Sequence, residues 1–324
     1  MKRKILITGA SGFVGRHVRT ALETMPGDAE ILDLNAAEAG DGPDIADQAA
    51  VEAAIARLQP DAVIHLAAVA LPAEARDAPA RAWAVNFQGT LNIAAALRAH
   101  CPQARLIFAG SSESYGAAFA LNEGPTDELT PLMPQSVYAA TKACADIALG
   151  QLAAEGFDCI RFRPFNHSGP GQAPLYVVAD FARQIAEIEA ERRAPVIRVG
   201  NLDAERDFLD VRDVARAYAL AAMAGAPQPS KPPAQPLPHS TAYNLASGRA
   251  VRIGAILDAL IGMSRVSISI ETDPDRLRPA DIPRTIGDAG RAAAAFGWRA
   301  EIALNTTLAD VLDDQRRQVA GRSD

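Results

Sequence analysis

Short apolar runs alternate with longer stretches of helical spacing through the first half of the chain. Lys4–Thr8, Glu30–Leu34, Asp61–Leu66, Arg105–Ala109 and Asp158–Phe162 read as strands, and Gly12–Glu23, Ala49–Leu58, Ala80–His100 and Ser136–Glu155 as helices. This alternation predicts an α/β fold, a doubly wound parallel sheet with crossover helices on both faces. After Phe162 the rhythm changes. Arg163–Pro174 is rich in Gly and Pro and reads as loop, followed by helices at Phe181–Glu191, Val211–Met223, Ile253–Met263 and Leu304–Val319. Short strands are expected at Val196–Gly200, Tyr243–Leu245 and Ser267–Thr272. Gly225–Ser240, crowded with Pro, reads as an exposed connection.

Composition narrows the classes. The 324 residues are 49% hydrophobic and 22% charged, as expected of a soluble globular protein. A net charge of -7 without a basic stripe argues against a nucleic-acid partner. Cys101, Cys144 and Cys159 share no metal-ligand spacing with the histidines, so no metal is expected and a reducing compartment is. The basic start, Met1 to Lys4, leads into an apolar run that Thr8 and Gly9 interrupt, unlike a signal peptide. No stretch reaches the length of a membrane helix. A cytoplasmic protein with no membrane partner is the expectation.

Thr8-Gly9-Ala10-Ser11-Gly12-Phe13-Val14-Gly15 lies between the first strand and the first helix. Glycines there let the backbone turn tightly and approach a pyrophosphate, while the helix N-terminus offers free N–H groups. The spacing is G-x-x-G-x-x-G rather than G-x-G-x-x-G. Gly9, Gly12, Phe13, Val14 and Gly15 are therefore expected to hold a dinucleotide. Asp33, ending the second strand, is placed to accept the adenosine ribose hydroxyls and to repel a 2′-phosphate, and Leu34 to Ala37 supply no Arg. This predicts NADH favoured over NADPH, with Arg16 within reach of a 2′-phosphate. Asp44 and Ile45 are expected to flank the adenine. Leu66, Ala67 and Ala68 are small or apolar enough at a strand end for the dinucleotide to lie close, and His65 beside them reads as a packed histidine.

Tyr138 and Lys142 stand four apart and share a helix face. Their helix follows the Gly110-Ser111-Ser112-Glu113 stretch at the end of a predicted parallel strand, and carboxyl ends of such strands are where these sheets bind ligands. Reducing a ketone takes a hydride on carbon and a proton on oxygen. Tyr138 is the expected proton donor, Lys142 is expected to lower its pKa and to reach the nicotinamide ribose, and Ser111 to hold the carbonyl oxygen.

These motifs resemble the extended short-chain dehydrogenase/reductase family, over essentially the whole chain. The resemblance is strongest to its GDP-mannose branch, the 4,6-dehydratases and the reductases acting on their product. Ala109–Gly116, Arg161–Gln172, Arg206-Asp207-Phe208 and Arg276-Leu277-Arg278-Pro279 carry it. It implies a Rossmann-type domain over residues 1–164, with returning segments near 207–224 and 242–265, and a sugar-nucleotide domain from 165–206 and 266–324. It further implies an NAD(P)-dependent enzyme that reduces the 4-keto group of a GDP-linked 4-keto-6-deoxy sugar to GDP-D-rhamnose. Ser112, Glu113, Asn166, Val178, Arg206 and Arg278 would then bind substrate, although Arg206 also reads as a member of a surface ion-pair cluster and Val178, with Tyr176 and Val177, equally as apolar core. Glu113 matches a residue that serves as acid or base in the dehydratases, so a dehydratase stays open, as does another sugar-nucleotide reductase or epimerase. The reading from another class is a cofactor-binding sensor. The long Ala-rich helices imply a homodimer.

Overall fold

The computed structural model describes residues 2–34, 43–121, 124–224, 238–276 and 282–321. Arg278 and most of the Pro-rich connection lie outside the described residues. Six strands form one all-parallel sheet, β1 (Arg3–Thr8), β2 (Ala29–Asp33), β3 (Ala62–His65), β4 (Arg105–Ala109), β5 (Cys159–Pro164) and β9 (Ala242–Leu245), in the order β2-β1-β3-β4-β5-β9. Strands buried on both faces read as unbroken apolar runs, as Ile5 to Ile7 and Leu106 to Phe108 do.

The sheet separates two cores. On one face α2 (Gln48–Leu58), α5 (Gly89–His100) and α6 (Val137–Ala154) pack around Leu6, Val63, Ile93 and Leu149. On the other, α1 (Phe13–Thr24) and α8 (Val211–Met223) pack around Ile5, Ile7, Ile64, Val214 and Trp298. The predicted helix over 80–100 is not regular. Short helices α3 (Pro72–Asp77) and α4 (Pro79–Ala82) lead into a π-helical turn, Trp83–Gln88, before α5. Such turns are frequent at functional sites.

The C-terminal region has its own core. There α7 (Val177–Glu189), α9 (Ile253–Gly262) and α11 (Leu304–Ala320) enclose Phe181, Ile185, Leu257 and Leu312, beside β7 (Val196–Val199), which pairs in parallel with β11 (Ser269–Thr272). The Gly- and Pro-rich stretch after β5, read as loop, contains a short strand, β6 (Asn166–Ser168). It joins β8 (Glu205–Asp210) and β10 (Ala250–Arg252) in the order β10-β8-β6. These strands are too short and too polar for periodicity to reveal. A last short helix, α10 (Gly290–Phe296), precedes the buried Trp298, whose indole donates to the carbonyl of Asp213.

Candidate active site

The turn from β1 into α1 is built on close backbone approach. Gly9 has φ +73°, and a Cβ there would stand 2.9 Å from the Ala67 nitrogen. A Cβ on Gly15 would stand 2.3 Å from the Gly9 carbonyl oxygen, so the helix can sit this low only on glycine. Thr8 Oγ1 accepts from Ala67 N at 3.2 Å and holds the β3 end against the turn. No side chain caps the N-terminus of α1 at Gly12, and no acid occupies its first turn. The donors therefore face outward at the carboxyl edge of the sheet, where the backbone of Gly9, Gly12 and Gly15 leaves room for a pyrophosphate. Leu66, Ala67 and Ala68 are partly exposed beside them.

The flanking residues divide. Asp44 accepts from Ala46 N at 3.0 Å and pairs with Arg81 at 2.6 Å, which together hold its carboxyl below the usual range. Ile45, in contrast, is buried in the first core. Its side chain packs against the Gly89 backbone, so at most its main chain can meet an adenine. Phe13 lies stacked on His167, ring centroids 6.3 Å apart, and Val14 packs towards the second core. Arg16 does not stand ready for a 2′-phosphate. Its guanidinium donates to the carbonyls of Ser11 at 2.7 Å and Gly171 at 3.2 Å, which ties α1 to the loop after β6. Arg19 faces Asp33, Nη2 to Oδ2 3.6 Å. Sequence reasoning missed it, although it stands one turn beyond Gly15.

Ser111, Glu113 and Tyr138 come together above β4. Ser111 Oγ accepts from Glu113 N at 3.1 Å and shares a hydrogen bond with the Tyr138 phenol. Burial pushes the phenol pKa well up. The Glu113 carboxylate adds to the rise, Ser111 opposes it, and Tyr176 adds a little more. Lys142 stands one turn along the same helix. Its Nζ donates to the Ala109 carbonyl at 2.8 Å over the Phe108 ring, and burial alone brings its own pKa down to about 8. Tyr138 is thus held as a neutral phenol, the form a proton donor needs.

Helix α6 is fixed from two sides. Ser136 caps it, accepting from Ala139 N at 3.1 Å. One turn past Lys142, Asp146 accepts from Arg161 at 2.6 Å and Arg163 at 2.8 Å, all three buried. Arg163 continues to the Tyr115 phenol at 3.0 Å, which donates to Asn244 at 2.7 Å. From the other side, buried Asn86 in the π turn donates to Thr141 Oγ1 at 3.0 Å and brackets the backbone of Val69. Two amides, Asn86 and Gln88, within the helical stretch were its sequence signal. His65 bridges Thr8 Oγ1 at 2.7 Å and Thr90 Oγ1 at 3.0 Å. Burial, with Lys142 adding, brings its pKa down to about 3, so it is a neutral packed histidine as expected.

The residues expected to bind substrate are scattered. Ser112 is buried and Glu113 exposed beside Tyr138 and Tyr176. Asn166 is exposed on β6 and Arg206 is half-buried on β8, its guanidinium donating to the Glu205 carbonyl at 2.9 Å. Val178 does not line an open surface. It is 1% exposed, packed in the C-terminal core, because the first turn of α7 directs it inward. Tyr176, at the N-cap of that helix, is raised in pKa by burial and by the charges of Glu113 and Glu74. Arg276, the described end of the Arg276–Pro279 motif, is paired with Asp180 at 2.5 Å. Among the described residues no cluster of His, Cys, Asp and Glu could hold a metal ion, and no helix is long and apolar enough to cross a membrane.

Comparison with known proteins places this geometry. The model of the NAD dependent epimerase/dehydratase family matches residues 5–234. GDP-6-deoxy-D-mannose reductase of Pseudomonas aeruginosa is 33% identical over 98% of this chain and 99% of its own. GDP-mannose 4,6-dehydratase of Vibrio cholerae is 26% identical over 85% of this chain and 78% of its own. Among solved structures, RMD from Pseudomonas aeruginosa complexed with NADPH superposes with a TM-score of 0.84 at 30% identity, covering 98% of this chain and 100% of that one.

Proposed function

The chain belongs to the NAD dependent epimerase/dehydratase family, and from that membership and the geometry above we propose that it is an NAD(P)-dependent oxidoreductase. Its substrate is a GDP-linked 4-keto-6-deoxymannose, reduced at C4 to GDP-D-rhamnose. The observation that carries this reading is the Tyr138 phenol hydrogen-bonded to Ser111 after β4, in a parallel sheet whose β1 leads into the Gly9–Gly15 turn. The identity to a GDP-6-deoxy-D-mannose reductase supports the choice of substrate.

The residues that would hold the dinucleotide are the backbone of Gly9, Gly12 and Gly15, with Asp33 at the ribose and Leu66 to Ala68 below. When bound, NADH or NADPH supplies the hydride. Tyr138 donates its proton to the C4 oxygen, and Ser111 Oγ holds that oxygen beside the phenol. The tyrosinate that forms lies on the same helix face as Lys142, whose ammonium favours it. Asp33 tilts the choice towards NADH. Glu113 and Tyr176 border the sugar, and Asn166, Arg206 and Arg278 are assigned to the nucleotide, where Arg suits phosphate oxygens. The working form is a homodimer.

NMR of the product from GDP-4-keto-6-deoxymannose with either reduced cofactor tests the proposal, and the expected product is GDP-D-rhamnose. The proximity of Glu113 to Tyr138 favours one second reading, the dehydratase. Conversion of GDP-mannose without added reduced cofactor would support it, because that reaction regenerates its own hydride.

A further inference from the structure

We infer that Arg19 is the residue that admits a 2′-phosphate, so that one ion pair, Arg19–Asp33, serves both NADH and NADPH. The assignment rests on the proposed dinucleotide chemistry. Among the basic residues at the start of α1, Arg16 and His17 are committed to carbonyls of the loop after β6, at Gly171 and Pro170. Arg19 turns instead to the carboxyl end of β2 and stands 3.6 Å from Asp33. The chain from Leu34 to Gly42 contributes Glu38 and Asp41 but no Lys or Arg, so β2 itself brings no cation to that place.

The pair is loose enough to exchange partners. Its separation exceeds a good hydrogen bond, and the side chains are 39% and 22% exposed. With a ribose 2′-hydroxyl, Asp33 accepts a hydrogen bond from the hydroxyl and Arg19 stays beside the carboxylate. With a 2′-phosphate, the carboxylate is repelled and the guanidinium, a planar multiple donor, takes the phosphate oxygens in its place. Asp33 alone would exclude NADPH. Arg19 supplies the charge that offsets the repulsion, while its resting contact with Asp33 keeps the ribose site polar for NADH.

Binding rather than turnover tests this. Titrating the full chain with NADPH and with NADH, followed by cofactor fluorescence, gives two dissociation constants. Arg19→Gln should weaken NADPH by at least ~10-fold and leave NADH within about 3-fold, roughly the tenfold step that 1.4 kcal/mol represents. Retained NADH binding shows that the variant is folded. Arg19→Lys should fall between Gln and wild type, and Asp33→Asn should tighten NADPH while loosening NADH. Equal weakening of both cofactors by Arg19→Gln, or unchanged NADPH binding, would overturn the assignment. Wild type that binds neither dinucleotide would overturn the proposed function and this assignment with it.

Discussion

Ser111 hydrogen-bonds the Tyr138 phenol, and burial together with the nearby Glu113 charge raises its pKa. If it is the proton donor, Tyr138→Phe should cut kcat by at least ~100-fold, the usual scale of acid–base assistance, and leave cofactor affinity intact. Glu113→Gln should be much milder, since a ketone reduction needs no second acid, and steady-state rates of the two variants side by side check this. Lys142 gives a pH dependence of definite sign. Burial brings its pKa down to about 8 from 10.5, so the ammonium is present below that value and lost above it. Support for the tyrosinate goes with it, and kcat should fall as pH rises through about 8. A profile still rising past pH 9 would remove Lys142 from its role.

At the scale of elements, α6 carries both Tyr138 and Lys142 and is held to β5 by Asp146. Asp146 is 1% exposed and receives two buried guanidinium groups. Breaking such a pair on one side strands buried charge and costs about 3–5 kcal/mol. Asp146→Asn should therefore lower stability by that order in denaturant unfolding. It should also loosen the site, because Arg163 is in contact with the Tyr115 phenol and, through it, with Asn244 on β9. On the opposite flank Asn86 ties the π turn to Thr141, so α6 is gripped between a charged and a neutral network. Sites on rigid, doubly supported elements keep reacting groups within the narrow geometry that catalysis needs.

At the scale of the molecule, α6 and the π turn share an outward face with apolar side chains. Ala140, Cys144 and Ile147 form a stripe along α6, and Ile147 is 60% exposed. Trp83, 38% exposed, packs edge-on against Phe87 beside it. Small residues between these larger ones allow close helix approach. This is the face through which the proposed homodimer would form, and light scattering at micromolar concentration should give twice the chain mass. Ile147→Glu should shift the protein towards monomer, because a carboxylate in a helix–helix seam loses its water. A wild-type monomer would count against the dimer.

The alternation of apolar runs and helical spacing pointed to a parallel sheet with five strands from the first half of the chain, and the sixth, β9, joins it only in the fold. Its central strands, such as β3 and β5, are buried on both faces, whereas β2 at the edge stays partly exposed. The glycine turn, Ser111, Tyr138 and Lys142 were legible for a related reason, since their spacing is dictated by local backbone geometry at strand ends and along one helix. The π turn was not legible, because Asn86 owes its place to Val69 and Thr141, distant in the chain. Nor were β6, β8 and β10, whose short polar strands form only where β5 ends and α8 begins. Val178 read as a pocket residue, and the packing of α7 turned it into the core. Lys142 read as the neighbour that tunes Tyr138, while its hydrogen bond to the Ala109 carbonyl and its burial are set by the fold. Arg19 meets Asp33 only because α1 folds back over β1 to lie beside β2. Local periodicity settles which elements form, whereas side-chain partners across the fold and the desolvation of charge depend on three-dimensional packing that no single stretch of chain encodes.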